Sequence, residues 1–391
     1  MEPTRIMTSI DRRRLLQSGG AAAALTVGLR FPGMQALARQ ASCPSEIVIG
    51  VIAPVTGSKA EQGQQFTEGA QVAVDEINAD GGINGSTVRL EILDDQGQPN
   101  EAVAAAQKLA SNGDVYAVIG PSSTASSSAA IPVLERAQLV AISPSASTPS
   151  LVTDNQYFYI MSLPLSAYGP LVPQLAAERF GAQDLAIIHV KDDWGENVTT
   201  IAKEWAEANS VPVVAEANYT QGDRDFKAQL TALLDKDPDA LILNTHYTEG
   251  ALITRQAREL GYDGPIVAQG TNVYPQFIEL AEEAAEGVVG WTDFLATLDT
   301  EAVAKTVEKF QQAIGKEPLQ YHVSTYDAVK ILAQAIGQVG CDRSALSTAV
   351  AQTKDFAGLV GPMSFNAERL PEKELFWVEV KDGKWSLMAD G

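Results

Sequence analysis

Short apolar runs alternate with amphipathic segments along most of the chain beyond residue 45. Several runs, such as Ile47–Ile52, are apolar at every position, which is typical of a parallel strand covered on both faces. The pattern predicts eight strands: Ile47–Ile52, Val88–Leu93, Val115–Ile119, Leu139–Ile142, Leu185–His189, Val211–Ala217, Ala240–Leu243 and Pro265–Ala268.

Between the predicted strands, apolar residues recur with the period of a helix. One helical face is formed by Phe66, Ala70, Ala73, Val74 and Ile77. Further helices are predicted over Asn100–Ser111, Tyr168–Phe180, Asn197–Ala208, Asp225–Leu234, Glu249–Leu260, Glu301–Ile314 and Ser324–Val339. Regular strand–helix alternation predicts βαβ units and the α/β fold class.

The number of strands exceeds one ordinary sheet, so we predict two doubly wound, Rossmann-like lobes. The segment Ile160–Pro170 carries two prolines between the two sets of strands and is predicted to be a first crossover between the lobes. The Gly-spaced apolar runs at Gly287–Phe294 and Gly358–Phe365 are predicted to be the second and third crossovers. The predicted first lobe is 43–162 plus 290–358, and the predicted second lobe is 163–289 plus 359–391.

Residues 1–38 have the layout of a secretory signal. Arg12-Arg13 with Leu15-Leu16 resembles the twin-arginine export signal, the uncharged stretch Gly19–Leu29 follows, and Ala36–Ala38 supplies a small-x-small cleavage pattern. A mitochondrial presequence or a buried N-terminal helix is the alternative. We expect the protein to be exported to the periplasm or the cell exterior, with or without attachment to the outer face of the membrane.

Composition narrows the class of protein. The 391 residues include 28 Lys and Arg against 49 Asp and Glu, a net charge of −21. Such an acidic chain argues against nucleic acid as a partner. The three histidines are isolated and the two cysteines are far apart, so no metal site or cofactor is expected.

The two cysteines lie at corresponding ends of a strand and a helix. Cys43 precedes the first predicted strand, and Cys341 follows the helix that ends at Val339. A strand's start and a returning helix's end lie at the same edge of a sheet, so a Cys43–Cys341 disulfide is geometrically reasonable if both belong to one lobe. Lipidation of Cys43 and two unpaired thiols are the alternatives.

Hydroxyl-rich segments follow two neighbouring strands. Six of the seven residues in Ser122–Ser128 carry hydroxyls, and a similar cluster occupies Ser143–Ser150. Ligands of open α/β sheets bind beyond the carboxyl ends of strands. Hydroxyls and free backbone N–H groups there are suited to a small carboxylate. The alternative is that these residues are helix caps and turn formers.

The second strand set ends in aromatic residues. Trp194, His246 and Tyr247 follow two of its strands and are candidates for closing over a ligand; alternatively, they are packing anchors. No G-x-S-x-G, S-x-x-K (beyond the signal) or G-x-x-x-x-G-K-[ST] motif is present. The pattern therefore favours a binding protein over an enzyme.

In combination, several segments resemble the substrate-binding components of ABC importers for branched-chain and related amino acids, the type I periplasmic binding proteins. These segments are I49-G-V-I-A-P-V-T-G57, F66-T-E-G-A-Q-V-A-V-D-E-I-N-A-D-G-G-I-N-G85, V118-I-G-P-S-S123, I142-S-P-S-A-S-T-P149, W194-G195 and R255-Q-A-R-E-L-G261.

The resemblance implies two lobes joined by three crossovers and ligand capture by hinge closure. It also implies a monomer whose partners are a small-molecule ligand and a membrane permease. By position, it assigns the ligand carboxylate to Ser123, Thr124, Ser145, Ala146 and Ser147. It further assigns a covering aromatic to Trp194, a second aromatic to His246 or Tyr247, a pocket wall to Tyr321 and the cleft mouth to Gln62.

Two departures from the family pattern leave the ligand open. The acid that pairs with a ligand ammonium is absent at Gly270, and a hinge Asp is replaced by Ser166. Either Asp192, Asp193 or Glu249 supplies the charge, or the ligand is an amide, a urea-like molecule or another carboxylate. The leading hypothesis is an importer's solute-binding protein. A ligand-sensing module of the same fold and an exported hydrolase are the rivals.

Overall fold

A computed structural model describes residues 43–298 and 300–388. The predicted export signal over residues 1–38 lies outside the described residues. Within the described part of the chain, no helix combines the length and the apolar character needed to cross a bilayer.

The first sheet is parallel, with strand order β2-β1-β3-β4-β5. Its strands are β1 Glu46–Ala53, β2 Thr87–Asp94, β3 Val115–Ile119, β4 Val140–Ser143 and β5 Phe158–Ile160. In β1, Ile47, Ile49 and Val51 pack into the core on one face, and Val48 and Ile52 pack into the core on the other. Both faces are covered, which explains why the strand is apolar at every position.

The second sheet has seven strands in the order β15-β14-β10-β9-β8-β6-β7. Its strands are β6 Leu185–Val190, β7 Val213–Tyr219, β8 Ala240–Asn244, β9 Ile266–Ala268, β10 Val289–Thr292, β14 Phe376–Lys381 and β15 Lys384–Leu387. Strands β6 to β10 are parallel to one another, whereas β14 pairs antiparallel with both β10 and β15. A third, small antiparallel sheet comprises β11 Phe356–Gly358, β12 Gly361–Phe365 and β13 Pro371–Glu372.

Helices cover the sheets and connect their strands. They are α1 Ala60–Ala79, α2 Pro99–Ser111, α3 Thr124–Arg136, α4 Ser150–Thr153, α5 Leu165–Tyr168, α6 Leu171–Phe180, α7 Asp193–Ala208, α8 Lys227–Leu234, α9 Tyr247–Glu259, α10 Pro275–Ala281, α11 Glu301–Ile314, α12 Gln320–Val339 and α13 Arg343–Ala351. Two 3₁₀ helices span Gly270–Asn272 and Glu282–Ala285. The prediction of two α/β lobes is confirmed.

The chain crosses between the lobes three times: after β5, after β10 and after β13. The predicted lobe boundaries were wrong at the second and third crossings. Gly290–Thr292 belongs to the second sheet, where Gly290 pairs with Ala268. Met363 and Phe365 of β12 pack in the core of the first lobe. At both places the Gly-spaced apolar run is itself a strand, so the crossing comes several residues later.

Helix α3 was not predicted, although its start forms the candidate carboxylate site. Its first turns are rich in Ser, a modest helix former, and Pro132 lies within it, so the helical period is weak. The side chain of Ser123 caps it by accepting a hydrogen bond from the Ser126 backbone N–H at 3.1 Å.

The predicted disulfide is present. Cys43 and Cys341 are bonded, with their Cα atoms 5.0 Å apart. The bridge joins the start of β1 to the end of α12 within the first lobe. It overturns the alternatives of a lipid on Cys43 and of two unpaired thiols.

Candidate ligand-binding cleft

A cleft of about 670 Å³ lies between the two lobes, where the carboxyl ends of both sheets face each other. All ten predicted site residues line it: Gln62, Ser123, Thr124, Ser145, Ala146, Ser147, Trp194, His246, Tyr247 and Tyr321. Residues separated by as many as 259 positions therefore meet in one place. The dimensions suit a small organic ligand.

The wall on the first lobe is built from hydroxyls that hold their own loops. The Thr124 hydroxyl is bonded to that of Thr148 at 3.0 Å. Ser145 Oγ donates to the carbonyl of Ser122 at 2.7 Å. Ser122 Oγ is buried and has no hydrogen-bond partner among the described residues. The serines thus act partly as caps and loop ties, and one hydroxyl beside the cleft is left free.

Ala146 is held in place by the loop that follows β4. Its backbone N–H donates to Ser143 Oγ at 3.0 Å, and the side chain is buried. Ser143 Oγ also donates to the carbonyl of Pro121 at 2.6 Å. This one hydroxyl therefore ties the two predicted hydroxyl segments together and fixes their relative position.

On the second lobe, the rings of Trp194 and His246 stack with centroids 5.2 Å apart. Asp192 caps α7 by accepting from the Gly195 N–H at 2.8 Å, and its other oxygen lies 3.7 Å from His246 Nε2. Burial opposes ionisation of Asp192, but the neighbouring His246, the Gly195 N–H and Lys59 outweigh it, so the pKa of Asp192 lies below its ordinary value.

Tyr168 links the two walls near the first crossover. Its hydroxyl lies 2.6 Å from Ser147 Oγ and accepts from Trp194 Nε1 at 2.8 Å. Burial raises the pKa of Tyr168 to about 12. Either hydroxyl can be the donor in the bond between Tyr168 and Ser147. The Ser147 hydroxyl is therefore engaged with Tyr168, and what the residue retains for a ligand is its place on the cleft wall.

A second link between the lobes lies at the mouth of the cleft. Glu61, in the first turn of α1, accepts from the Tyr247 hydroxyl at 2.7 Å and from Gln276 Nε2 at 2.6 Å. Tyr247 stacks on Tyr274 at 5.0 Å, and Tyr274 lies 6.5 Å from the ring of Tyr321. A row of three aromatic rings therefore runs from one lobe to the other.

The absence of an acid after β9 has a steric reason. A Cβ atom on Gly270 would lie 2.8 Å from the carbonyl oxygen of Trp291, and the ring of Trp291 fills the adjoining space. Trp291 Nε1 donates to Gln269 Oε1 at 2.9 Å. Ser166 is exposed and does not line the cleft. Neither position can present a carboxylate to a ligand.

Sequence analysis missed Glu61 and Tyr274, which line the cleft, and Tyr168 and Gln276, which form hydrogen bonds between the lobes. Tyr168 lies inside the predicted first crossover, so its position could have indicated a side chain that contacts both lobes. Glu61 had none, because its two partners are 186 and 215 residues away.

Comparison with known proteins agrees with this architecture. The model of the family described as "Periplasmic binding protein" matches residues 46–384. The chain belongs to the periplasmic binding protein family.

Among members of the periplasmic binding protein family, the Leu/Ile/Val-binding protein BraC3 of Rhizobium johnstonii is 28% identical over 327 residues, which is 82% of this chain and 88% of BraC3. A leucine-binding protein, LivK, from Thermotoga maritima has a TM-score of 0.82 and 27% identity, covering 88% of this chain and 98% of its own. LivJ from Streptococcus pneumoniae, solved with isoleucine, has a TM-score of 0.81 and 30% identity, covering 87% and 97%.

As a periplasmic binding protein, the chain has its cleft where two lobes meet and where three crossovers allow a hinge. Among the described residues, no group of three or more His, Cys, Asp or Glu side chains is arranged to hold a metal ion.

Proposed function

We propose that the chain is the solute-binding protein of an ABC importer that captures an amino acid, of the branched-chain type or related to it, by closure of the two lobes. The observation that carries the proposal is the assembly of all ten predicted residues around one interlobe cleft. Of the relatives named above, BraC3 is called a Leu/Ile/Val-binding protein and LivK a leucine-binding protein, and LivJ was solved with isoleucine.

The chemistry of the cleft supports a ligand with a carboxylate. The start of α3 offers backbone N–H groups beside Ser123 and Thr124, and the helix dipole adds positive potential there. The Ser122 hydroxyl has no other partner and lies at the same place. Trp194 and Tyr321 provide apolar surface for a side chain. Ser123, Thr124, Ser145, Ala146 and Ser147 are thus the proposed carboxylate-binding segments.

The remaining parts of the function are proposals as well. We expect export by the twin-arginine signal, cleavage near residue 38, and a monomer that delivers its ligand to a membrane permease without chemical change. Since Cys43 is bonded to Cys341, any membrane attachment would have to use another group.

Isothermal titration calorimetry of residues 39–391 against the proteinogenic amino acids, simple amides and aromatic acids tests the proposal. Saturable one-to-one binding of at least one amino acid is expected. Folded protein that gives no heat with any amino acid would contradict it. A permease and an ATPase encoded beside the gene would support transport, whereas their absence would favour a sensing module.

A further inference from the structure

Glu249 presents a buried carboxylate to the cleft without a counter-ion. The residue lies in the first turn of α9, is 5% exposed and lines the cleft. Its Oε1 accepts from the Gly222 backbone N–H at 2.9 Å. Within the described part of the chain, no Lys, Arg or His forms an ion pair with it. The start of α9 stabilises the charge in part, but a buried carboxylate ordinarily has a cationic partner.

The other charged groups around the cleft are already engaged or point outward. Asp192 faces His246 and Lys59, both of which lower its pKa. Arg255 lies 3.9 Å from both Glu259 and Glu282 at the rim. Asp193, Asp223 and Arg224 are exposed. Among the described residues that line the cleft, Glu249 is therefore a buried carboxylate of the second lobe that forms no ion pair.

We infer that Glu249 receives the ligand's amino group, so that the ligand spans the cleft with its carboxylate on the first lobe and its ammonium on the second. The inference rests on the proposed function and refines its ligand class. It selects an amino acid over an amide, a urea-like molecule or a simple carboxylate. It also accounts for the glycine at position 270, where Trp291 excludes an acidic side chain.

The test compares pairs of probes that differ only in the amino group: L-leucine with 4-methylpentanoate, L-alanine with propanoate, and L-phenylalanine with 3-phenylpropanoate. Calorimetry is run on the wild type, Glu249→Gln and Glu204→Gln. The glutamine at position 249 keeps an oxygen for the Gly222 N–H but loses the charge. Glu204→Gln makes the same change at an exposed position of α7 on the second lobe, outside the cleft, and is the matched control.

For the pair that binds best, the wild type is expected to prefer the amino acid. Glu249→Gln should weaken the amino acid about 10- to 100-fold and leave the des-amino acid within about threefold, as expected for the loss of a buried charged hydrogen bond. Glu204→Gln should change neither affinity by more than about threefold.

Three results would overturn the inference while leaving the proposed function standing. These are equal wild-type affinity for both members of a pair, undiminished amino-acid binding by Glu249→Gln, and equal loss of both members in a variant with unchanged thermal stability. The last result would assign Glu249 a structural role in holding the Gly222 loop. Binding of no probe and of no other amino acid by folded wild-type protein would instead overturn the proposed function itself.

Discussion

The hydroxyl of Tyr247 on the second lobe donates a 2.7 Å hydrogen bond to Glu61 Oε2 on the first. The other carboxylate oxygen of Glu61 accepts from Gln276, also on the second lobe. Both oxygens of one first-lobe side chain are therefore held from across the cleft. Because these bonds break when the lobes separate, they stabilise the closed form relative to the open one.

Tyr247→Phe should shift the protein toward the open form and weaken ligand binding by about 1.5–3 kcal/mol, the range for losing a hydrogen bond to a charged group. Calorimetry gives the affinity, and small-angle X-ray scattering gives the radius of gyration, which should rise in the ligand-free protein. Tyr262→Phe is the control, because that hydroxyl bonds Pro265 within one lobe. Equal behaviour of the two variants would remove any role for Glu61 in closure.

Thr124→Ala and Ser147→Ala should each weaken amino-acid binding by about 1–3 kcal/mol, since each leaves polar groups at the carboxylate site short of a partner. The causes differ. Loss of the Thr124 hydroxyl removes the partner of the Thr148 hydroxyl, whereas loss of the Ser147 hydroxyl removes a partner of the Tyr168 hydroxyl. Ser128→Ala, on an exposed position of α3, is the control. Unchanged affinity in both variants would show that the carboxylate lies elsewhere.

Much of the fold was predictable because burial on both faces leaves a strong pattern. All eight predicted strands occur, with ends displaced by at most two residues. Shorter or weaker patterns were not recognised: β5 has three residues, and α3 begins with serines whose value lies in capping and loop ties rather than in helix propensity.

The ten predicted site residues all line the cleft, but their hydrogen bonds were not predicted. Strand ends and the family resemblance located Thr124 and Trp194. The sequence pattern does not show that the Tyr168 hydroxyl bonds both Ser147 and Trp194, because such contacts depend on how the two lobes meet. For the same reason, the sequence could not show that Glu249 lacks an ion pair among the described residues, because this depends on where the neighbouring Lys, Arg and His side chains lie in the fold.

The Cys43–Cys341 disulfide should contribute substantially to stability, because it closes a loop with a sequence separation of 298 residues. The chain-entropy model gives an upper figure of about 6 kcal/mol for such a loop. Reductant, or the double substitution Cys43→Ser and Cys341→Ser, should lower the urea midpoint and the melting temperature by matching amounts. The double variant in reductant should show no further change. Oxidised and reduced wild type with identical midpoints would contradict the prediction.

Asp327, on α12, should make stability fall as the pH rises through the neutral range. Burial raises its pKa to about 7, with the Leu359 N–H and Lys373 opposing the shift. Because the folded protein favours the protonated carboxyl, the stability of the fold is highest below the unfolded-state pKa of about 4, where the group is protonated in both states. As the pH rises from about 4 toward about 7, the unfolded state ionises more readily, and the free energy of unfolding falls. Between about pH 5 and about pH 8, wild type should lose about 1–3 kcal/mol relative to Asp327→Asn.

Urea denaturation of both proteins at several pH values measures this difference. The asparagine keeps an oxygen for the Leu359 N–H and does not titrate, so the two unfolding free energies should converge or cross as pH changes. Parallel stability curves across the whole range would mean that Asp327 is not the titrating group.

The most direct test of the central claim is a crystal structure of residues 39–391 with the tightest-binding amino acid. The account predicts a ligand enclosed between the lobes, its carboxylate contacting the Ser122–Thr124 and Ser145–Ser147 segments and its amino group directed toward Glu249. A ligand bound outside the interlobe cleft, or one whose carboxylate contacts the second lobe instead, would contradict it.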